Sequence, residues 1–395
     1  MYDFDKERDR KQTNCRKWSP KIIKEKFHLG EDAIPLDLAD IDFECLPEIR
    51  EAMIARAEMG EYSYTSVTDD FYEAVIDWNK RRFDLDLKKE WIRLTFGTVS
   101  TLHYIVQAFT NENESVLINT PAYAPFAEAI ETNHRQLCCS PLVLKDHRYF
   151  LDFEDIEKQM QTKSVKVFIF CSPQNPSGRV WSSAELKKVV DLCLEYDVLL
   201  VCDEIHRDIL FEREKFSSIF KVHPEITQKC ILCLSPNKAF NLGGLKVSYV
   251  VIPNEKIRET LYQQLSKNAI TSPHVFAVPA MIAAYQHGEQ WLDELTVYMK
   301  RNFEIFYDFM AKNLPKIKVM KADSSFLAWL DVSDFFNDEA DMTAFFKQAR
   351  LTTVPGSYFV QNGEGFVRLN LAITQKMLQE VLNRMKEVYD QLEKL

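Results

Sequence analysis

The 395-residue sequence has no apolar stretch of membrane-spanning length, and Met1-Tyr2-Asp3-Phe4-Asp5-Lys6 lacks the apolar core of a signal peptide. Both absences make the cytoplasm the expected compartment. Positive charge is not in excess: 49 Lys and Arg against 59 Asp and Glu give a formal net charge of −10. That balance argues against sequence-independent nucleic-acid binding, which needs clustered cations facing phosphates. A cysteine framework is missing too, since the nine cysteines are an odd number without regular spacing. Cys171, Cys202, Cys230 and Cys233 fall in strand-like apolar runs and read as reduced, buried thiols. Cys230-x-x-Cys233 lies inside a predicted strand instead of opening a helix, and Cys138-Cys139 has no companion ligands, so no metal site is expected. Internal repeats and low-complexity linkers are also absent.

What remains is an ordinary globular composition, 46% hydrophobic and 27% charged, in a chain long enough for two or three domains. Residues 1–45 read as an extended arm belonging partly to a small domain, 46–289 as a large domain, and 290–395 as the rest of the small one. Helical spacing covers Pro47 to Met59 and Phe71 to Arg82. Strand candidate Ile92 to Phe96 then leads through Gly97-Thr98-Val99-Ser100 into a helix over Thr101 to Phe109, a small phosphate cup in outline. Strand-like and helical segments alternate through Val116 to Asn119, Ala122 to Glu131, Val165 to Phe170, Ala184 to Tyr196, Val198 to Asp203 and Ile231 to Leu234. Such alternation implies an α/β fold with a mostly parallel sheet covered by helices on both faces. Lys246 to Ile252 adds an antiparallel strand, because it follows the preceding one so closely. From Gln290 a long helical pattern leads to an α+β region with strands at Phe326 to Asp331 and Gly365 to Leu371 and a last helix from Gln375.

Lys238 is the most informative residue. It sits in Ser235-Pro236-Asn237-Lys238, at the mouth of the apolar run 230–234, where desolvation pushes an amine toward neutrality and makes it able to form an imine. Val165 to Phe170 empties into a turn-rich loop presenting the Asn175 amide, and Val198 to Cys202 ends in Asp203-Glu204-Ile205-His206. Gly365-Phe366-Val367-Arg368-Leu369-Asn370 places a guanidinium among strand residues. Lysine, aspartate, asparagine and arginine, each expected at a strand terminus, form the set required by a pyridoxal phosphate site. Asp203 would keep the pyridine nitrogen protonated; the plainer alternative is an N-cap on a following helix. Backbone amides and the hydroxyl at Gly97 and Thr98, with Ser235 and the cation of Lys246, suit a phosphate dianion.

The order Asn-Pro-x-Gly, Asp-Glu-Ile-His, Ser-x-x-Lys, Arg-Leu-Asn resembles fold-type I pyridoxal phosphate enzymes of the aminotransferase class I/II superfamily. Ala39-Asp40-Ile41-Asp42-Phe43, Gly178-Arg179-Val180-Trp181 and Asp203 to His206 resemble the MalY/PatB-type cystathionine β-lyases and cystalysin-like C–S lyases within it. The resemblance runs from about Tyr2 to the last helix. It implies a Schiff base at Lys238, whose released amine moves the substrate Cα proton. It also implies contacts of Asn175 and His206 with the ring hydroxyl, stacking and substrate assistance by Tyr123, substrate contacts at Ala39 and Arg368, and a Tyr64 that reaches the phosphate of a neighbouring subunit. The last makes a homodimer with shared active sites the expected assembly.

Several positions depart from the branch. Asp37 stands where relatives usually have tryptophan, Asn237-Lys238-Ala239 replaces the commoner Ser-Lys-Thr, Lys246 replaces a frequent arginine, and Val354 to Phe359 is an atypical loop. They bear on side-chain specificity. The expected reaction is α,β-elimination from a cysteine S-conjugate. Alternatives are an aminotransferase using the same residues and a regulatory protein-binding role on the same fold.

Overall fold

The buried runs become strands of a seven-stranded sheet in a computed structural model that describes residues 2–394. In chain order these are β1 Ile92–Thr95, β2 Ser115–Thr120, β3 Gln136–Pro141, β4 Val165–Cys171, β5 Leu199–Asp203, β6 Cys230–Leu234 and β7 Ser248–Val251. Their spatial order is β1-β7-β6-β5-β4-β2-β3. Strands β2 to β6 pair in parallel, and β7 runs antiparallel between β1 and β6, as the short connection requires. Every residue of β5 and β6 is buried, which is why both read as continuous apolar runs instead of alternating ones. Along them the side chains alternate between two cores: Cys202, Cys230 and Leu232 enter one, Val201, Ile231 and Cys233 the other. Cys230 and Cys233 therefore point to opposite faces, and all nine cysteines are free thiols.

The helices cover both faces. The Ser182 side chain and Glu185 form a reciprocal capping box at the start of the helix Ser183–Glu195, the strongest local start signal in this half of the chain. The helix after Gly97 begins at Thr98, three residues earlier than its periodicity predicts, because Gly97 adopts φ +95° and turns the backbone at once. Strand β3, half exposed and without apolar–polar alternation, carries no strong periodic signal and goes unassigned in the sequence. So do the helices Glu255–Lys267 and Ala277–His287, the second apolar nearly all round.

A second, antiparallel sheet holds β8 Lys318–Val319, β9 Leu327–Asp331, β10 Val354–Pro355 and β11 Phe366–Asn370 in the order β8-β9-β11-β10. Its core takes in Ile34 and Leu36 from the N-terminal segment, whereas Phe4, Ile41 and Phe43 pack against the large core. The helix Glu289–Asn313 belongs to both, with Trp291, Leu295 and Met299 in the first and Phe303, Phe306 and Met310 in the second. Among the described residues no helix is long and apolar enough to cross a membrane.

A buried polar network lies directly under the end of β5. Glu204 accepts from Arg207 Nη1 at 3.0 Å, Ser218 Oγ at 3.0 Å and the Ile219 amide at 2.8 Å. Arg207 also donates to Asn79, whose Nδ2 donates to Tyr249 OH at 3.0 Å. Arg207→Met leaves the Glu204 carboxylate without its cation, and the expected loss is about 3–5 kcal/mol in urea unfolding. A loss below about 1 kcal/mol would show that the network tolerates an unpaired acid.

Candidate active site

Five strand ends of the large sheet open on one edge. There β1 leads through Gly97, β2 through Pro121 to Tyr123, β4 into the loop carrying Asn175, β5 into Asp203 and His206, and β6 into Lys238. Parallel pairing sets Cys171 beside Asp203 and Asp203 beside Cys233, so the three central ends are level. This convergence is a property of parallel strands, whose carboxyl ends share an edge.

At that edge lies a cavity of about 800 Å³, lined among others by Ala39, Gly97, Thr98, Tyr123, Ser235, Lys238 and Lys246. A small hollow beneath it is lined by Ala39, Tyr123, Asn175, Asp203, His206 and Lys238. The residues singled out in the sequence thus meet, with two exceptions. Arg368 lines neither space and reaches the site through Asn175, while Tyr64 is wholly exposed on the segment between the first two long helices.

Lys238 Nζ donates to the Ala39 carbonyl at 2.9 Å. Burial, then the cation of Arg368, brings its pKa down to about 8 against the opposing pull of Asp40 and Asp203. Asp203 is buried, and its desolvation raises the carboxyl to about 7, although the Ile205 amide, 3.1 Å away, and Lys238 favour the anion. Turns, not a helix, follow it, so an N-cap role falls away. His206 is held at about 3, hence neutral, by burial and by the charges of Lys238 and Arg368; its Nδ1 lies 3.1 Å from Ser325 Oγ. Burial pushes the Tyr123 phenol up to about 12.

Arg368 is central in β11 and not at a strand terminus as its motif suggested, paired with Trp329 of β9 in the second sheet. It is buried, with Nη1 on Asn175 Oδ1 at 3.1 Å, Nη2 on the Asp37 carbonyl at 3.0 Å, and Nε without a partner. Asp37 itself is turned away, accepting from Thr352 Oγ1 at 2.6 Å. On the phosphate-cup side, the Gly97 amide donates to Ser248 Oγ at 2.9 Å and Ser235 Oγ to the Val247 carbonyl at 2.7 Å. The unclaimed donors there are the first-turn amides of Thr98, Val99 and Ser100, which no intrahelical carbonyl can reach. Sequence reasoning overlooked Asn370, whose amide grips the backbone beside Ala39; its place in the Arg-Leu-Asn motif was the available signal.

Such an edge is built to bind an anionic ligand bearing a carbonyl that a lysine can capture, a site of the α/β enzymes that work through a lysine-bound cofactor. The chain belongs to the aminotransferase class I and II family, whose pattern matches residues 31–385. It is 36% identical to cystathionine beta-lyase PatB of Bacillus subtilis, over 97% of this chain and 99% of that one. Protein MalY of Escherichia coli is 30% identical over 96% of this chain and 97% of its own. Cystalysin from Treponema denticola, solved with pyridoxal 5′-phosphate, superposes with a TM-score of 0.95 at 31% identity, covering 99% of this chain and 100% of cystalysin.

Burial of His206 and Asp203 has opposite effects on stability in the cofactor-free protein. Between 6.5 and about 3 the unfolded chain binds a proton that His206 refuses when folded, so this contribution falls as pH falls. Between 3.8 and about 7 the folded chain keeps a proton on Asp203 that the unfolded chain releases, so that contribution falls as pH rises. His206→Gln removes the first alone. Relative to the parent, the variant should gain about 1.4 kcal/mol per pH unit as pH drops below about 6.5 in urea titrations; a pH-independent difference contradicts a neutral buried ring.

Proposed function

We propose that the protein is a pyridoxal phosphate-dependent carbon–sulfur β-lyase acting on cysteine S-conjugates such as cystathionine. The carrying observation is the desolvated Lys238 amine beside buried Asp203, at the sheet edge of a chain that is similar to PatB over nearly its whole length. The donor set fits the cofactor: first-turn amides and Lys246 for the phosphate, Asp203 for the ring nitrogen, Asn175 and His206 for the ring hydroxyl, and Tyr123 for the ring face. When bound, pyridoxal phosphate supplies an aldehyde that holds the substrate amine and a ring that accepts the electrons left at Cα.

The chain's own groups do the rest. Arg368, whose buried Nε has no protein partner, would hold the substrate carboxylate beside Asn175, and this would fix the Cα–H direction. Lys238, its affinity for a proton lowered by burial and by the Arg368 cation, would remove that proton once its amine is free. Asp203 retains the proton on the ring nitrogen, and neutral His206 donates or accepts without adding charge. Loss of the β-thiolate, with uptake of one water, leaves thiol, pyruvate and ammonia. The cofactor-holding body would be 46–289 and the smaller one 1–45 with 290–395; Ile34 and Leu36 share an apolar cluster with much of the carboxyl-terminal part, while Phe4, Phe43 and Trp291 pack into the large core across those bounds. In a homodimer the wholly exposed Tyr64 would complete the phosphate site of a second copy.

Purified, cofactor-loaded protein given L-cystathionine should release thiol and pyruvate in equal amounts. Transfer of the amino group to a keto acid without thiol release would instead establish the aminotransferase reading. Lys238→Ala should lower kcat at least about 100-fold. Arg368→Lys should raise KM roughly tenfold with a smaller effect on kcat, since a point charge replaces a fork; an unchanged KM would remove Arg368 from carboxylate binding.

A further inference from the structure

The segment between the N-terminal arm and the helix Pro47–Glu58 is gripped by side chains carbonyl after carbonyl. Arg368 Nη2 donates to Asp37 O at 3.0 Å, Asn370 Nδ2 to Leu38 O at 2.6 Å, Lys238 Nζ to Ala39 O at 2.9 Å and Asn370 Nδ2 again to Asp40 O at 2.6 Å. Ile41 O receives Asn241 Nδ2 at 3.0 Å and Arg10 Nη1 at 3.1 Å. The carbonyl offered to Lys238 is therefore flanked on both sides by carbonyls tied to one amide. Asn370 is fully buried, and its Oδ1 accepts from the Ala372 amide at 2.8 Å, which turns both Nδ2 hydrogens toward the strap.

We propose that Asn370 is a positioning residue: by clamping Leu38 and Asp40 it fixes the Ala39 carbonyl as the receiver of the free Lys238 amine. Among the described residues that carbonyl is the only hydrogen-bond acceptor Nζ reaches. A four-carbon ammonium stem has several free rotors, and a fixed acceptor restricts them while leaving the nitrogen lone pair for the Cα proton. Once the proton has moved, the ammonium keeps the same bond. The charged groups facing Lys238 are Arg368, Lys246, Asp40 and Asp203, with neutral His206; none hydrogen-bonds to Nζ. The inference rests on Lys238 as the working base of the proposed reaction.

Asn370→Ala in the full-length protein tests it in two ways. With cofactor removed, the pH midpoint for trace acetylation of Lys238 by acetic anhydride, mapped by peptide mass, should fall by about half a unit or more, because a bond favouring the ammonium is loosened. In the loaded protein kcat should drop roughly tenfold with KM unchanged, a split that a purely structural residue would not produce. An unmoved midpoint overturns the proposal. Asn370→Ser keeps one donor and should give an intermediate shift; no shift in it counts equally against the idea, and failure of both variants to fold makes Asn370 structural and overturns it as well. If the elimination reading is wrong, the parent protein releases no pyruvate while the labelling shift still stands.

Discussion

Partial desolvation of an amine at the carboxyl edge of a parallel sheet is the constraint on which this structure turns. The cost of desolvating a cation lowers the affinity of Lys238 for its proton, and the cation of Arg368 adds to the effect. Neither influence would act on a lysine at the surface. Five strand ends converge there, and β5 and β6, which lead to Asp203 and Lys238, are buried along their whole length. Glu204 and its network anchor the same edge, so Asp203 is followed directly by a buried polar cluster.

The site is shared between two bodies of structure. Arg368 and Asn370 arrive on β11 of the second sheet, Lys238 and Asp203 on the first, and the strap 37–41 is the backbone that both sets hold. The helix Glu289–Asn313 contributes to both apolar cores, which makes the two bodies mechanically continuous. Arg368, the residue proposed to hold the substrate carboxylate, thus lies on the same strand two residues from the amide that frames the Lys238 acceptor.

Much of this was legible in the sequence, for a physical reason. Strands buried on both faces write themselves as unbroken apolar runs, and three such runs lead to a polar residue out of character: Asn175, Asp203 and Lys238. The family resemblance then supplied roles that spacing alone could not. Polar, half-exposed β3 and the all-apolar helix Ala277–His287 escaped because neither shows a period. Arg368 is legible as a residue but not as the middle of a strand, since a local motif does not report which of its residues pair across the sheet. The grip of Asn370 on Leu38 and Asp40 spans more than three hundred residues of chain, and no local pattern carries such a contact.

The cysteines supply a last consequence. All nine are unpaired, and the two that mimic a redox motif are buried back to back on opposite sides of β6. A lyase of the proposed kind accumulates reducing sulfur compounds around itself as it turns over. With no sulfur–sulfur link in its architecture, it has nothing that its own product could cut.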